Sequence, residues 1–304
     1  MSEHHDLDCA TESFITHRNL LFTVGYEMLG SAADAEDVLQ EVWLRWAKVD
    51  LTQVRDQRAF LVRITTRLSL DRLRHLKRRK ETYVGPWLPE PLLTAPDVAE
   101  DIELAESVSM AIMLVLETLS PTERAVFVLR EAFDVEYDEV AAVVGKTPVA
   151  VRQIAHRARR HVQARRPRQA VSPREAQAVV ESFQRALHTG KFESLLDILA
   201  PDVVMVADGG GVKQAALRPV IGAEKVVRMI IGGLDKTRIT LTADPTSING
   251  NPALLLHVDG ELDGVLAMCV EDSHVTGLYY VRNPDKLSRL TSETPLTRQP
   301  MPET

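Results

Sequence analysis

One segment of this sequence carries side chains suited to reading the edges of DNA bases. Residues 136–162 (EYDEVAAVVGKTPVAVRQIAHRARRHV) place Ala141, Gly145 and Val151 at the spacing of a helix-turn-helix. On a helical wheel the outward arc of the second helix and its shoulders carry these side chains: Val149, Arg152, Gln153, His156, Arg157, Arg159 and Arg160. Arginine and glutamine match guanine and adenine edges, and flanking arginines suit phosphates. The segment predicts a helix that binds DNA, and a purely structural helical hairpin is the alternative.

A second basic segment lies upstream, at residues 55–80, where ten basic and only two acidic residues occur. Its apolar residues, such as Phe60 and Leu68, recur at helical spacing, so one face is expected in a core. The end of the segment, from Arg72 to Lys80, is more basic than a favourable helix terminus requires, which indicates contact with phosphates. The candidate DNA-binding residues are Arg67, Arg72, Arg74, Lys77, Arg78 and Arg79. A solvated helix face is the simpler interpretation of such a segment.

An acidic helix is predicted at residues 30–46, where Ser31 and Asp34 form a capping signal. Its apolar face is expected in the core, and the opposite face presents four residues that we call the acidic arc: Asp37, Gln40, Glu41 and Leu44. The arc suits a docking surface for a basic partner, with the leucine as its apolar anchor. In isolation it also fits ordinary solvated surface.

The composition restricts the class of protein. The chain has 304 residues, 45% of them hydrophobic and 26% charged, as expected for two or three globular units. The net charge of −7 hides two dense basic segments, residues 55–80 and residues 146–168, the second with eight basic and no acidic residues. Two such segments favour a polyanionic partner. The sequence has no signal-peptide pattern or long apolar run, and its two cysteines, Cys9 and Cys269, cannot form a disulfide framework. These features predict a soluble, cytoplasmic protein that uses neither a metal nor another cofactor and has no membrane partner.

The order of the elements predicts the fold class. Helices fill the first 165 residues, interrupted by a linker at 84–97 that contains four prolines. Helices are then predicted at 173–188, 191–199 and 222–233, followed by strands at 237–243, 252–258, 262–271 and 274–281. This is an α+β pattern, and the last dozen residues are predicted to be disordered.

The predicted α+β part corresponds to a curved sheet wrapped against helices, with a pocket at its mouth. Folds of this type include enzymes with a buried general base, for which the candidates are Asp208, His257, Asp259 and His274. An aspartate beside three glycines is more typical of a turn, and a strand histidine more often packs or faces solvent. We therefore predict no catalytic residue.

Taken together, these segments resemble the extracytoplasmic-function sigma factors of the sigma-70 family (group 4). Residues 34–46 are similar to the sigma-2 element that docks on RNA polymerase, and residues 58–74 to the helix that reads and melts the −10 promoter element. Residues 116–160 are similar to sigma-4, which reads the −35 element. WLPEP (87–91), DGGG (208–211) and NPDKL (283–287) match a subgroup in which a SnoaL-like (NTF2-like) domain follows sigma-4. In that subgroup a lysine directly follows DGGG, whereas here Val212 intervenes before Lys213.

The resemblance implies a multidomain chain: an all-α sigma-2 domain (1–82), a linker (83–100), an all-α sigma-4 helix-turn-helix domain (101–168), an α+β SnoaL-like domain (169–292) and a disordered tail (293–304). It implies binding to the β′ clamp and β flap of core RNA polymerase and to promoter DNA, without enzymatic activity. The C-terminal domain would regulate the protein in cis, with NPDKL reaching back to the linker. The implied regulatory residues are Trp87, Pro89, Asp208, Gly209, Gly210, Gly211, Asn283, Pro284, Asp285 and Lys286.

Two other functions remain open from the sequence. The first is a SnoaL-like enzyme with a DNA-binding leader, and the second is a one-component regulator whose pocket binds a small-molecule ligand. The glycine cluster is alternatively a flexible hairpin loop, and NPDKL only the end of a strand.

Overall fold

The computed structural model describes residues 2–95, 102–165, 171–235, 240–290 and 292–298. The chain forms two compact units. The first contains Met1–Glu81, Val115–Arg165 and Pro295–Thr304, and the second contains Thr82–Leu114 and Arg166–Thr294. Within the described ranges, no helix combines the length and apolar character needed to cross a membrane.

The described part of the chain contains eleven α-helices. They are α1 (Ser2–Leu29), α2 (Ala32–Trp46), α3 (Gln57–Glu81), α4 (Ile102–Val108), α5 (Met110–Glu117), α6 (Pro121–Phe127), α7 (Tyr137–Val144), α8 (Pro148–Gln163), α9 (Pro173–Thr189), α10 (Ala223–Asp235) and α11 (Pro284–Leu287). A π-helical turn, Val128–Ala132, follows α6, and 3₁₀ turns lie at Leu51–Gln53 and Phe192–Leu195.

The first unit is helical because its apolar residues recur at helical spacing and its helix ends are capped. The Ser31 hydroxyl accepts a hydrogen bond from the Asp34 amide at the start of α2, as the sequence predicts. The apolar face of α2 packs with α1 and α3, and its last residue, Trp46, is fully buried with its indole N–H donating to the Ala10 carbonyl. This packing leaves the opposite face of α2 open to solvent.

The second unit is built on a six-stranded mixed sheet. Its strands are β1 (Leu199–Asp208), β2 (Val220–Ile221), β3 (Leu241–Ile248), β4 (Asn251–Val258), β5 (Glu261–Glu271) and β6 (His274–Val281), in the order β2-β1-β6-β5-β4-β3. Only the β1–β6 pair is parallel among the pairs described. Helices α9 and α10 pack on the sheet around buried residues such as Phe183, Val226 and Leu254. This is the α+β fold class that the sequence predicts.

The elements before the glycine cluster differ from the prediction. The helix expected at 191–199 is a 3₁₀ turn at Phe192–Leu195, and the strand β1 follows it. Pro201 hides this strand in the sequence, because proline lacks the N–H that a strand donates. The chain accommodates it at a register irregularity between Leu199 and Val204.

The described part of the linker, residues 83–95, belongs to the second unit. Leu88 and Leu92 are completely or almost completely buried, and Leu93 forms a bridge with Ile248 at the edge of β3. The unit extends to Leu114, so residues 102–114 lie with the C-terminal domain rather than with the helix-turn-helix.

The expectation of a disordered tail from residue 293 is wrong for residues 293–298. The Thr294 amide donates to the Leu93 carbonyl, and the Thr297 amide donates to the Thr23 hydroxyl. Leu296 is buried, which gives the segment an apolar anchor. Residues 299–304 lie outside the described part of the chain.

Candidate functional site

The helix-turn-helix forms as its residue types predict. Gly145 ends α7 in the left-handed region at φ 66°, which a glycine adopts without strain. Thr147 caps α8 by accepting a hydrogen bond from the Ala150 amide, and Pro148 occupies the first turn. Val151 is fully buried between the two helices. The turn therefore holds α8 in one orientation against α7.

The outward face of α8 is exposed, with the hydrophobic Val149 62% accessible. The other exposed predicted residues are Arg152, Gln153, His156, Arg157 and Arg160. Arg159 differs, because its guanidinium donates to both oxygens of Glu131 at 2.9 and 2.6 Å. The hydrogen bond to Glu131 and its charge raise the pKa of Arg159. The other five predicted polar side chains on this face form no ion pair or hydrogen bond with a carboxylate of the described residues, whereas Arg159 is held at the edge by Glu131.

The acidic arc is on the solvent face of α2. Asp37, Gln40 and Glu41 are exposed, and Leu44 is 61% accessible. Most of the Leu44 side chain is thus accessible to a partner.

One basic residue of α3 contacts the acidic arc directly. The Arg72 guanidinium lies 2.6 Å from an Asp34 oxygen and 2.9 Å from an Asp37 oxygen. Hydrogen bonding to Asp34, with the charges of both aspartates, raises the pKa of Arg72. Sequence reasoning assigned Asp37 and Arg72 to two different surfaces, and the structure places them side by side.

The remaining basic residues of α3 have different environments. Arg74 is exposed and pairs with Asp71 one turn away, while Arg67 donates to the Ala142 carbonyl of α7 at 2.9 Å. The side chains of Lys77, Arg78 and Arg79 lie outside the described part of the structure. Lys80 is not on the DNA-facing surface that the sequence predicts, because it is directed into the first unit and paired there.

A charged cluster joins the two helical regions of the first unit, residues 2–81 and residues 115–165. It consists of Lys80 from α3, Glu117 from α5 and Arg124 from α6, and we call it the clasp. Glu117 accepts from Lys80 and, at 2.6 Å, from Arg124, which is only 1% exposed and also donates to the Glu27 carbonyl. Burial alone would raise the pKa of Glu117, but the charges of Arg124 and Lys80 lower it. Sequence reasoning missed the clasp because Lys80 lies 37 residues from Glu117, and because neither Glu117 nor Arg124, seven residues further on, stands out from its local sequence.

The three sequence motifs of the second unit meet at one buried carboxylate. Asp208, the last residue of β1, is fully buried. Its Oδ2 lies 2.7 Å from Lys286 Nζ and accepts from the Leu88 amide at 2.9 Å, and its Oδ1 accepts from Tyr83 at 2.6 Å. Lys286 also donates to the Leu88 carbonyl. WLPEP, DGGG and NPDKL therefore form one structure, which we call the motif junction.

Aromatic rings complete the motif junction. Lys286 Nζ lies 3.4 Å from the centre of the Trp87 ring and 5.1 Å from that of Tyr83, and these rings pack edge to face. The Asn283 amide donates to the Tyr83 hydroxyl at 2.8 Å. Burial and the hydrogen bond to Asp208 raise the pKa of Tyr83, so this hydroxyl stays protonated and donates. Tyr83 was not singled out from the sequence, because it precedes the recognisable motif.

The glycines of DGGG are packed rather than merely flexible. A Cβ on Gly209 would overlap the Lys213 carbonyl oxygen, and a Cβ on Gly210 would overlap the Asn283 side chain. Gly210 and Gly211 have φ values of 64° and 74°, in the region that favours glycine. Close approach of the backbone to α11 and to the linker requires these residues.

The remaining motif residues lie around the junction. Asn283 caps α11 by accepting from the Asp285 amide, and Pro284 occupies its first turn. Pro284 and Asp285 are exposed, whereas Pro89 is buried. Lys286 is buried as well, so we expect its substitution to lower the stability of the second unit.

A second attachment of the linker was missed from the sequence. Asn249, in the turn between β3 and β4, is fully buried, accepts from the Leu92 amide at 2.9 Å and donates to the Val108 carbonyl at 2.8 Å. Asn251 donates to the Ala105 carbonyl. In the sequence this NGNP stretch indicates only a turn, and the partners of the two asparagines come from more than 140 residues away.

A cavity of about 670 Å³ lies between the sheet and its helices, as the fold prediction expects. None of the four general-base candidates lines it. Asp208 belongs to the junction, His257 Nδ1 lies 3.1 Å from an Asp244 oxygen, Asp259 accepts from the Thr240 amide, and His274 is exposed. Within the described ranges no three His, Cys, Asp or Glu side chains are placed to bind a metal.

One carboxylate does line the cavity, but its oxygens are occupied. Asp263 accepts from Arg282 through both oxygens, from Tyr280 and from Lys213. Burial alone would raise the pKa of Asp263, but the hydrogen bonds from Arg282 and Tyr280 outweigh it and lower the pKa to about 2. Lys213, the lysine displaced by Val212, thus pairs with Asp263 rather than with a residue of the motif junction.

Comparison with known proteins agrees with this arrangement. A family model for sigma-70 region 2 matches residues 14–79, and a model for sigma-70 region 4 matches residues 109–162. The ECF RNA polymerase sigma factor SigJ of Mycobacterium tuberculosis is 38% identical over 292 residues, which cover 89% of this chain and 91% of SigJ. The M. tuberculosis protein SigI, named as a probable ECF sigma factor, is 31% identical over 96% of this chain and 99% of its own. The crystal structure of M. tuberculosis SigJ covers 92% of this chain and 99% of its own, with a TM-score of 0.74.

Proposed function

The chain belongs to the extracytoplasmic-function RNA polymerase sigma factors, and we propose that its C-terminal domain regulates it in cis through the motif junction. It binds core RNA polymerase and directs transcription initiation at specific promoters, the function of this family. The acidic arc on α2 binds the β′ clamp, and the region from α5 to α8 binds the β flap. The exposed arginines of α3 read the −10 element, and the outward face of α8 reads the −35 element.

The exposed side chains on these surfaces support the assignment. On α8 the arginines and Gln153 lie on one solvent-facing arc, the geometry that direct readout in the major groove requires. On α2 an exposed leucine lies among acidic and amide side chains, which suits a basic partner with an apolar pocket.

The first unit has a closed arrangement, since the clasp and the Arg67–Ala142 hydrogen bond hold its two helical regions together. Reading two separate promoter elements requires these regions to move apart. The clasp is therefore a barrier that polymerase binding has to overcome.

The motif junction is the observation that carries the regulatory proposal. The chain between the two sigma regions passes through WLPEP, and Leu88 is held there by both Asp208 and Lys286 of the C-terminal domain. The path of the connecting segment thus depends on contacts with the domain that follows sigma-4. A change at the junction changes the connection that the sigma regions use to span a promoter.

Recruitment is tested by mixing the full-length protein with core RNA polymerase and separating complexes by gel filtration. We expect a 1:1 complex that transcribes from a cognate promoter. Leu44→Ala should weaken the complex by about tenfold, a typical loss for an interface anchor. Leu196→Ala, which truncates a leucine that is 43% exposed in the second unit, is the control and should have no effect. Equal affinities for both variants would remove the docking role of α2.

Regulation in cis is tested in full-length protein with Asp208→Asn, in a transcription assay with saturating core polymerase. Asp259→Asn makes the same chemical change in a turn outside the junction. We expect Asp208→Asn to change promoter-specific transcription at least about threefold and Asp259→Asn to leave it unchanged. Identical transcription from both variants would remove the regulatory proposal.

We also propose that the C-terminal domain acts without catalysis. A general base needs a pKa near the working pH and a free lone pair. Asp263, the carboxylate at the cavity, has neither, because four donors surround it and hold its pKa at about 2. The sigma-factor function requires no reaction at this site.

A further inference from the structure

The cavity of the second unit has no role in the contacts described for the sigma regions or for the junction. Its volume of about 670 Å³ lies within the roughly 300–1,000 Å³ that small-molecule sites usually have. Its walls are mostly apolar, formed by residues such as Phe183, Met205, Leu256 and Leu278 from α9, β1, β4 and β6. An apolar molecule can bury its surface there.

The polar end of the cavity offers donors rather than acceptors. Each Asp263 oxygen already accepts two hydrogen bonds, so this carboxylate has little capacity for another donor. Arg282, which lines the cavity, retains N–H groups that Asp263 does not use. Lys213 does not line the cavity, but it pairs with Asp263, so the two cations together exceed the charge of this carboxylate by one. This end is complementary to a group that accepts hydrogen bonds.

A third cation lies at the cavity wall. Arg228, from α10, lines the cavity, is exposed and makes no ion pair with the residues that the structure describes. An unpaired arginine next to an apolar cavity adds a bidentate donor for a carboxylate or a similar anion. The charge around the cavity therefore favours a negatively charged group on the occupant.

The cavity and the motif junction share one stretch of backbone. Residues 208–216 begin at Asp208 in the junction and reach Gln214 and Ala215 in the cavity wall. The Arg282 side chain donates to the Gln214 carbonyl, and its amide donates to the Asp208 carbonyl at 2.7 Å. The next residue, Asn283, contacts Tyr83 in the junction. Displacing Arg282 would therefore alter both the cavity wall and the motif junction.

We propose that this cavity binds an apolar small molecule that carries one anionic group, such as a carboxylate, and that its occupancy acts on the motif junction through residues 208–216. The apolar body fills the cavity, and the anionic group binds Arg228 together with the free N–H groups of Arg282. The effect on transcription rests on the proposed regulation in cis, whereas the binding does not.

The test uses full-length protein and two fluorescent probes. The anionic probe is 1-anilinonaphthalene-8-sulfonate, and the neutral probe of similar shape is N-phenyl-1-naphthylamine. We expect the anionic probe to bind at one saturable site. Arg228→Gln should weaken its binding about two- to fivefold, the range for one solvent-accessible ion pair, and leave the neutral probe unchanged.

Lys225→Gln is the matched control, because Lys225 is an exposed cation on the same helix and does not line the cavity. It should leave both affinities unchanged. Non-saturable binding, an affinity unaffected by Arg228→Gln, or an equal loss in Lys225→Gln would overturn the site.

The link to the junction is tested by hydrogen exchange at residues 82–94 with and without saturating anionic probe. We expect the rate at the Leu88 amide, which donates to Asp208, to change at least about twofold. An unchanged rate at saturation overturns the link. The Asp208→Asn transcription experiment uses no probe, so failure of the cavity proposal and failure of cis regulation give separate results.

Discussion

The ammonium group of Lys286 lies 2.7 Å from the Asp208 carboxylate, and both side chains are buried although 78 residues separate them. Burial of two charges is unfavourable unless they pair and the remaining hydrogen bonds are satisfied. The Leu88 amide, the Tyr83 hydroxyl and the Gly210 amide donate hydrogen bonds to Asp208. Lys286 donates to the Leu88 carbonyl and lies over the Trp87 ring. The ion pair is thus stable only while the linker is in place.

Lys286→Met should destabilise the second unit by about 3 kcal/mol, because it leaves a buried carboxylate without its cation. The measurement is the free energy of unfolding in urea. Asp285→Asn, in the exposed neighbour, should change it by less than about 0.5 kcal/mol. Adding Asp208→Asn to Lys286→Met should restore part of the loss. A stability unchanged by Lys286→Met would show that the pair is not formed in solution.

Gly210→Ala should destabilise the protein by about 3 kcal/mol, since it combines a positive φ with overlap against Asn283. Gly190→Ala has a similar φ of 69° but no atom within 4 Å of the added Cβ, and should cost only about 1 kcal/mol. Thermal unfolding of the two variants separates the strain from the overlap. Equal losses would contradict the close packing of DGGG.

The sequence predicts those features that depend on local spacing. The caps at Ser31 and Thr147, the turn at Gly145 and the exposed arc of α8 follow from residue types within one or two helical turns. The strand β1 was not predicted because Pro201 obscures it. In place of the helix predicted at 191–199 there is only a 3₁₀ turn at Phe192–Leu195.

The candidate site was predictable in its members but not in their contacts. WLPEP, DGGG and NPDKL are recognisable motifs, but their meeting at Asp208 depends on strand order and on the path of the linker. The roles of Asn249 and Arg124 were not predictable, because burial gives these side chains their importance and their partners are distant in sequence.

Glu117→Gln should loosen the clasp, because it removes the anion between two cations and costs about 3 kcal/mol at neutral pH. The pKa of Glu117 is lower in the folded protein than in the unfolded chain, so its stabilising effect is complete above pH 4.5 and is lost as the pH falls through the lowered value. Urea unfolding at pH 7 and at pH 3 should show the two proteins converging at acid pH. A constant difference across this range would contradict the assigned role of the carboxylate.

Arg152→Ala and Gln153→Ala should each lose about 1–3 kcal/mol of discrimination at one −35 base pair. Arg160→Ala should weaken binding to all sequences alike, as for a phosphate contact. Arg159→Ala is expected to act on all sequences too, with an added loss of its Glu131 pair. Competition binding with matched and scrambled promoter DNA distinguishes base contacts from phosphate contacts. Equal loss of matched and scrambled binding in Arg152→Ala would contradict base readout.

Removing residues 169–304 is a poor test of the regulatory claim, because the linker loses the partners that bury Leu88 and Leu92. A single hydroxyl provides a more direct test. Tyr83→Phe removes the hydrogen bond to Asp208 and the one from Asn283 without removing the ring. Tyr279→Phe deletes the hydroxyl of a partly buried tyrosine of the same domain that lies outside the motif junction, and serves as the control.

The measurement is promoter-specific transcription by full-length protein and core polymerase at matched concentrations of the assembled holoenzyme. Because Tyr83→Phe removes two hydrogen bonds of ordinary strength, the amount of promoter-specific transcription should change at least about threefold. We expect this change in transcription, upward or downward, for Tyr83→Phe and no change for Tyr279→Phe. Transcription from Tyr83→Phe equal to that of the unsubstituted protein would contradict control of this sigma factor through its motif junction.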